Sequence, residues 1–203
     1  MPLYPNSKRS FPEAREFLLN KIVGRDYPVK HLIEQARNKG HITKGKRGRG
    51  GGVVTSRDMA VLLAGTLAGD TPQVATDAMA HLTQLMPNTD ALETDHLKVD
   101  RLADDWWNHS FIDVIALIIE TWRNDFQLGF DEINLAVIRE PAMYARLSWN
   151  NIPYERDVFV TYSTPSAPNK FRGATPLRHL SASYNGEVLR RAADWLERQE
   201  GHR

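Results

Sequence analysis

Four cations and five glycines share one short stretch of the chain, from His41 to Thr55. The stretch contains no acidic or aromatic residue, and its cations are Lys44, Lys46, Arg47 and Arg49. Lysine and arginine bind a nucleic-acid backbone by displacing its condensed counterions, and glycines let a main chain approach such a surface closely. These residue types therefore predict ionic contact with a polyanion. A solvated basic linker without fixed structure is the alternative that they leave open.

Two other motifs match this stretch only in part. Residues 47–49, Arg-Gly-Arg, resemble the core of an AT-hook, but the flanking prolines of that motif are missing. The spacing of Gly40, Gly45 and Lys46 is that of a P-loop, but Arg47 stands where a P-loop needs Ser or Thr to hold magnesium. We keep the weaker prediction that an arginine here reaches into a minor groove.

A second group of residues could bind a metal ion. Asp105 and His109 stand four residues apart, on one face if the segment is helical, and close in sequence lie Asp95, His96, Asp100 and Asp104. A solvated acidic face explains the same residues, and the chain has no metal-ligand motif, nucleophile elbow or catalytic triad signature. The absence of cysteine excludes thiol catalysis. We predict no enzyme activity and no cofactor, with a metal-dependent nuclease as the enzyme alternative.

Charge is unevenly distributed along the 203 residues, although the net charge is only +1. Residues 1–58 contain 13 basic and 5 acidic side chains, a net of +8; residues 59–138 contain 3 and 13, a net of −10; residues 139–203 contain 10 and 7, a net of +3. A basic segment is the electrostatic footprint of a nucleic-acid-binding surface. The first segment is therefore predicted to face DNA, and the acidic middle to face away from it.

Capping signals and apolar periodicity predict helices over about 11–23, 27–39, 56–68 and 72–85. The apolar ends of the basic stretch, Ile42 before it and residues 53–54 after it, are predicted to pair as two short antiparallel strands. Helix, turn, basic helix, basic wing and helix is the order of a winged helix-turn-helix. We predict that fold for residues 10–86, with the wing over 41–54.

The second helix is the predicted recognition helix. Its apolar positions must face the core, which turns outward the polar side chains Tyr27, Lys30, His31, Gln35 and Asn38. In a major groove, Gln or Asn pairs with adenine and Lys donates to guanine, and the neighbouring Glu34 can accept from cytosine. These side chains are predicted to read bases while the four wing cations contact the backbone. The alternative is that this face is merely solvated and the wing supplies all of the binding.

A mixed α+β part is predicted after a loop at 86–96. A short helix over 97–107 precedes one over 110–123 that is apolar nearly all round and must therefore be buried, in the core or in a subunit interface. Segments rich in β-branched and aromatic residues predict a three-stranded antiparallel sheet over 133–138, 143–149 and 157–161. A helix over 185–199 ends the chain. We predict that residues 97–203 form a domain for self-association or for binding a protein partner.

No segment is predicted to span a membrane, because the longest apolar run, 114–119, is too short to cross a bilayer. The chain has no cysteine and does not open on a signal peptide, which favours a reducing compartment. The predicted location is the bacterial cytoplasm.

The segment LIEQARNKGHITKGKRGRGGGVVTSRDMAVLL, which begins at Leu32, resembles the winged-helix segments of uncharacterised proteins from bacterial prophages and related mobile elements. More loosely, it resembles the DNA-recognition domains of MerR-like regulators and phage small terminase subunits. The likeness covers about residues 10–85 and implies a bacterial or phage setting with double-stranded DNA as the partner. We predict a transcriptional regulator that forms a homo-oligomer, with residues 1–85 able to bind duplex DNA without the rest. The alternatives are a small-terminase-like packaging subunit and a factor that blocks another protein through the acidic middle.

Overall fold

The computed structural model describes residues 9–24, 26–44, 52–87, 108–124, 133–138, 143–151, 156–164 and 181–197. In that part of the chain six α-helices accompany one five-stranded antiparallel sheet. The helices are α1 (Phe11–Leu18), α2 (Val29–Asn38), α3 (Ser56–Ala68), α4 (Pro72–Leu82), α5 (Phe111–Asn124) and α6 (Gly186–Glu197). The predicted mixed α+β class is confirmed. The predicted helix over 97–107 lies outside the described residues.

The first two helices begin and end close to where capping residues and glycines in the sequence predict. α1 is extended by a π-helical turn, Leu19–Val23, and Gly24 ends this element with a φ of 82° that favours glycine. α2 begins at Val29, two residues later than predicted, and Gly40 follows it with a φ of 78°. Both glycines lie in the left-handed region, where a helix is readily terminated.

The sheet has five strands, and the prediction of three is wrong. Its strands are β1 (Met86–Pro87), β2 (Asn134–Ile138), β3 (Tyr144–Asn151), β4 (Arg156–Ser163) and β5 (Ser181–Asn185), in the spatial order β1-β4-β3-β2-β5. The predicted strands are β2, β3 and β4, which pair in sequence order. β1 is only two residues long and contains a proline, and β5 is mostly small and polar, so neither has the β-branched and aromatic composition typical of strands.

α3 lies at the centre of the fold. Along its length nearly every side chain is buried, and it contacts α4, α5, α6, β2 and β5. Its small residues allow neighbouring helices to approach closely; a Cβ added at Gly65 would overlap the end of the Met79 side chain on α4. The predicted burial of α5 is confirmed, since side chains from Phe111 to Trp122 on that helix belong to the same core.

Polar contacts between α3 and α5 accompany this apolar packing. The buried Ser56 hydroxyl donates to Glu120, whose carboxylate lies 3.4 Å from the Arg123 guanidinium. Nearer the surface, Arg57 Nε lies 3.0 Å from Asp113 Oδ1. Because a charge buried without a partner is costly, the contact of Ser56 with Glu120 favours one arrangement of the two helices.

Buried residues before and after the predicted domain boundary belong to a single hydrophobic cluster, which runs from Phe11 to Leu196. The main chains also meet, since Phe111 N donates to Leu85 O at 2.9 Å. The boundary predicted between 10–86 and 97–203 falls mostly outside the described residues.

The two ends of the described chain also meet. Arg9 Nε donates to the carbonyl oxygen of Trp195 at 2.9 Å, and the Phe17 ring stacks on the Trp195 ring with centroids 5.2 Å apart. The first helix and the last are thereby joined through one tryptophan.

A winged helix-turn-helix is not shown by the described residues. The predicted pairing of Ile42 with residues 53–54 is wrong, because Val53 forms a β-bridge with Ser10 and Val54 N donates to Arg9 O at 2.8 Å. The main chain just before α1 is extended and offers the pairing edge that the valines take. Ile42 is instead held by burial in the core, at 4% exposure.

None of the described helices combines the length and the apolar character that crossing a membrane requires.

Candidate nucleic-acid interface

One buried carboxylate holds both ends of the basic stretch. Asp58 Oδ1 accepts hydrogen bonds from Thr43 N at 2.8 Å and Thr43 Oγ1 at 3.1 Å, and its Oδ2 accepts from Thr55 N and Thr55 Oγ1, both at 2.9 Å. The side chain is only 4% exposed. Thr43 and Thr55, the residues on either side of residues 44–54 (here called the basic loop), are therefore held by the same carboxylate.

Local sequence explains half of this arrangement. Thr55 and Asp58 form the capping box that starts α3, and a carboxylate in the first turn is favoured by the helix dipole. The sequence predicts that half. The hydrogen bond to Thr43 joins residues 15 apart in the sequence. The only sequence signal for it is the position of Thr43 at the start of the basic loop.

Lys44 is the one cation of the basic loop inside the described residues, and it is exposed. Lys46, Arg47 and Arg49 lie outside the described residues.

The exposed strip of α2 consists of Lys30, His31, Glu34 and Asn38. Lys30 Nζ and Glu34 Oε1 are 4.0 Å apart, with side chains 64% and 56% exposed. A pair this exposed contributes little to stability, so both side chains can turn towards a ligand at low cost. Three of the five predicted base-reading residues thus lie on one solvent-facing strip.

The other two predicted readers contact neighbouring elements of the fold. Gln35 Oε1 lies 3.1 Å from Thr76 Oγ1 of α4, a hydroxyl whose single proton is shared between this oxygen and the nearer Pro72 O at 2.8 Å. Tyr27 donates its hydroxyl to Gly69 O at 2.9 Å, and burial raises the pKa of Tyr27 to about 12. The periodicity of α2 alone cannot reveal either contact, because both depend on where the α3–α4 connection and α4 pack.

α4 also neutralises a cation beside the strip. Lys39 Nζ lies 2.6 Å from Asp77 Oδ1 and 3.3 Å from Thr76 Oγ1. Close by, burial lowers the pKa of His41, and the Lys39 charge lowers it further. The α4 side of α2 therefore offers little net positive charge.

Arg37 lies on the side of α2 that faces α1, and it was not among the predicted site residues. Its guanidinium carbon lies 4.1 Å from the centre of the Phe11 ring on α1. The sequence places it on the flank of the helix, and no local signal indicates the aromatic partner 26 residues earlier.

Five of the six candidate metal ligands lie outside the described residues: Asp95, His96, Asp100, Asp104 and Asp105. His109 is described and partly buried. Within the described ranges, no three histidine or acidic side chains come together as a metal site would require.

Substitution of Gln35 by Ala is expected to lower the free energy of unfolding by up to about 1 kcal/mol, because it removes a polar contact between α2 and α4. Urea denaturation measures this effect. Asn38→Ala, on the exposed strip of the same helix, is the matched control and should change stability by less than about 0.5 kcal/mol. Equal losses in the two variants would contradict the inward role of Gln35.

Comparison of the chain with protein-family models, with curated proteins and with solved structures gave no match. The resemblance of residues 10–85 to winged-helix segments accordingly stays a prediction from the sequence.

Proposed function

We propose that the chain binds double-stranded DNA as a regulator of transcription, with the basic loop on the phosphate backbone and the exposed strip of α2 in the major groove. The observation that carries the proposal is the closure of the basic loop on Asp58, which is 4% exposed. Because Thr43 and Thr55 bind one carboxylate, the four loop cations belong to a segment that starts and ends at one place. Cations gathered in this way can meet consecutive phosphates.

The position of the basic loop relative to α2 supports a joint surface. α2 ends at Asn38, Gly40 turns the chain, and Thr43 is already bound to Asp58. Few residues therefore separate the last side chain of the exposed strip from the first cation of the loop. Lys44 and Asn38 are both exposed, as a joint surface requires.

Ion pairs near the two ends of the basic loop limit which parts of this surface stay positively charged. Lys39 is neutralised by Asp77 on the α4 side, and Arg57 by Asp113 towards α5. These two cations are not expected to contribute to DNA binding. The excess positive charge of residues 1–58 is thereby left to α2, the loop and the N-terminal segment.

The first test is binding by the full chain to a short labelled duplex of arbitrary sequence. Affinity is expected to fall linearly on logarithmic axes as salt rises, with a slope of about −4 or steeper if each loop cation meets one phosphate. Fluorescence anisotropy between about 50 and 200 mM NaCl measures the slope. Absence of binding, or an affinity that ignores salt, would reject the proposal.

The full chain is the appropriate material, although the sequence predicts that residues 1–85 bind alone. α3 carries the Asp58 closure and packs against α5, so a fragment ending before α5 exposes an apolar helix face. Failure of that fragment to bind would reflect unfolding as readily as loss of function.

A further inference from the structure

The two edges of the sheet differ in how they are protected against further pairing. In the spatial order β1-β4-β3-β2-β5, the end strands are β1 and β5. β1 is two residues long and contains Pro87, which has no main-chain N–H to donate. β5 contains neither proline nor charge, and it pairs with β2 in an unbroken register. Proteins usually block a sheet edge with proline, charge or a bulge, so β5 is the edge that can accept another strand.

The side chains of β5 lie on two different faces of the sheet. Tyr184 pairs with the buried Leu135, and its hydroxyl oxygen lies 2.9 Å from Thr66 Oγ1 on α3, so it belongs to the face that the helices cover. Ser183 and Asn185 are exposed on the other face. A strand added beside β5 would therefore continue both the helix-covered face and the open face.

The sequence of β5 is compatible with pairing to a second copy of itself. A two-fold axis through Ser183, perpendicular to the sheet, makes the two strands antiparallel and keeps the helices of both copies on one side. Residues 181 and 185 are then opposite each other, as are 182 and 184, and Ser183 faces Ser183. No like charges meet in this register, and the large Tyr184 stands opposite the small Ala182.

We propose that two copies of the chain associate through β5, with a two-fold axis at Ser183, into one antiparallel sheet of ten strands, five from each copy. A second copy suits this edge better than a disordered peptide, because its β5 is already held extended by β2 and loses less conformational entropy on pairing. One short edge buries little area, so the dimer is expected to be reversible and concentration-dependent. The inference goes beyond the proposed function, since association is measured without DNA.

Analytical ultracentrifugation of the full chain tests the proposal at position 183, which faces itself in the dimer. The parent is expected to shift from monomer to dimer as its concentration rises from about 1 to about 100 μM. Ser183→Lys and Ser183→Glu each place like charges opposite each other, and each should weaken dimerisation about 10-fold. An equimolar mixture of the two variants should restore it, because a lysine then faces a glutamate.

Ser148 provides the matched control, because it lies on β3, between β2 and β4, and on the same face as Ser183. Ser148→Lys and Ser148→Glu should dimerise like the parent. A parent that stays monomeric at every concentration overturns the proposal. So does a dimer that both Ser183 variants leave intact, or a mixture of the two that stays monomeric, because position 183 then does not face itself.

A cysteine variant tests the same geometry without adding charge. The chain contains no cysteine, so Ser183→Cys introduces a single thiol. In the proposed dimer two such thiols lie directly opposite each other on adjacent strands, close enough for a disulfide after small adjustment. Mild oxidation should give a covalent dimer much more readily in Ser183→Cys than in Ser148→Cys. Equal cross-linking of the two variants would overturn the proposal, even if the charge variants prove too unstable to measure.

Discussion

Removal of all four loop cations is expected to weaken binding to duplex DNA of any sequence by on the order of 100-fold, and to reduce the salt slope by up to about 4. The variant replaces by Ala the residues Lys44, Lys46, Arg47 and Arg49. Each contact with a phosphate releases a counterion, and this release is lost with the cation. Because phosphates carry no sequence information, the loss should be the same on unrelated duplexes.

A control must show that position matters as well as total charge. Arg146→Ala combined with Arg191→Ala removes two exposed cations outside residues 1–58, one on β3 and one on α6. Per charge removed, this control should affect affinity much less than the loop variant. If the two variants lose affinity in proportion to charge alone, the basic loop has no special part in binding, and if the loop variant binds like the parent, the loop is only a linker.

Asp58→Ala is expected to lower the free energy of unfolding by about 3 kcal/mol. The substitution removes the acceptor of four hydrogen bonds in a site only 4% exposed. It leaves the amides of Thr43 and Thr55 without that partner and removes half of the capping box of α3. Urea denaturation measures the loss, and Asp58→Asn, which keeps one acceptor oxygen, should lie between the parent and Asp58→Ala.

Asp77→Ala is the matched comparison, since Asp77 is an exposed carboxylate with bonds to Lys39 and Gln73. Its loss should lower the free energy of unfolding far less than Asp58→Ala does, because an ion pair exposed to solvent contributes little to stability. An equal loss of stability in Asp58→Ala and Asp77→Ala would show that the hydrogen bonds holding Thr43 and Thr55 contribute no more than those of an exposed carboxylate. In DNA binding, Asp58→Ala should weaken affinity with little change in salt slope, because the cations remain and only the anchoring of Thr43 and Thr55 is lost.

Short-range signals predicted the helices of this fold well. The capping patterns of Ser10 with Glu13 and of Thr55 with Asp58 span four residues, and both start helices where expected. Apolar residues all round α5 correctly predicted its burial. In each case the information lies within one element, where it can be read from the sequence.

Contacts between elements could not be predicted in the same way. β5 was missed because its place in the sheet comes from pairing with β2, a strand more than 40 residues earlier, and its own composition is polar. The bond from Thr76 to Gln35 and the stacking of Arg37 on Phe11 likewise join separate helices. The sequence therefore predicted a helix face and a loop as the candidate site. Contacts between elements decide which residues at the border of that face stay exposed.

The joining of Arg9 and Phe17 to Trp195 has a consequence for the order of folding. A chain emerging from the ribosome exposes α1 long before residue 195 has been made, so the face of α1 that contacts Trp195 stays uncovered until that residue is synthesised. Contacts this distant in sequence form late and slow folding. Since Arg9 and Ser10 also hold the returning end of the basic loop, that end gains its full support only after residue 195 has been synthesised.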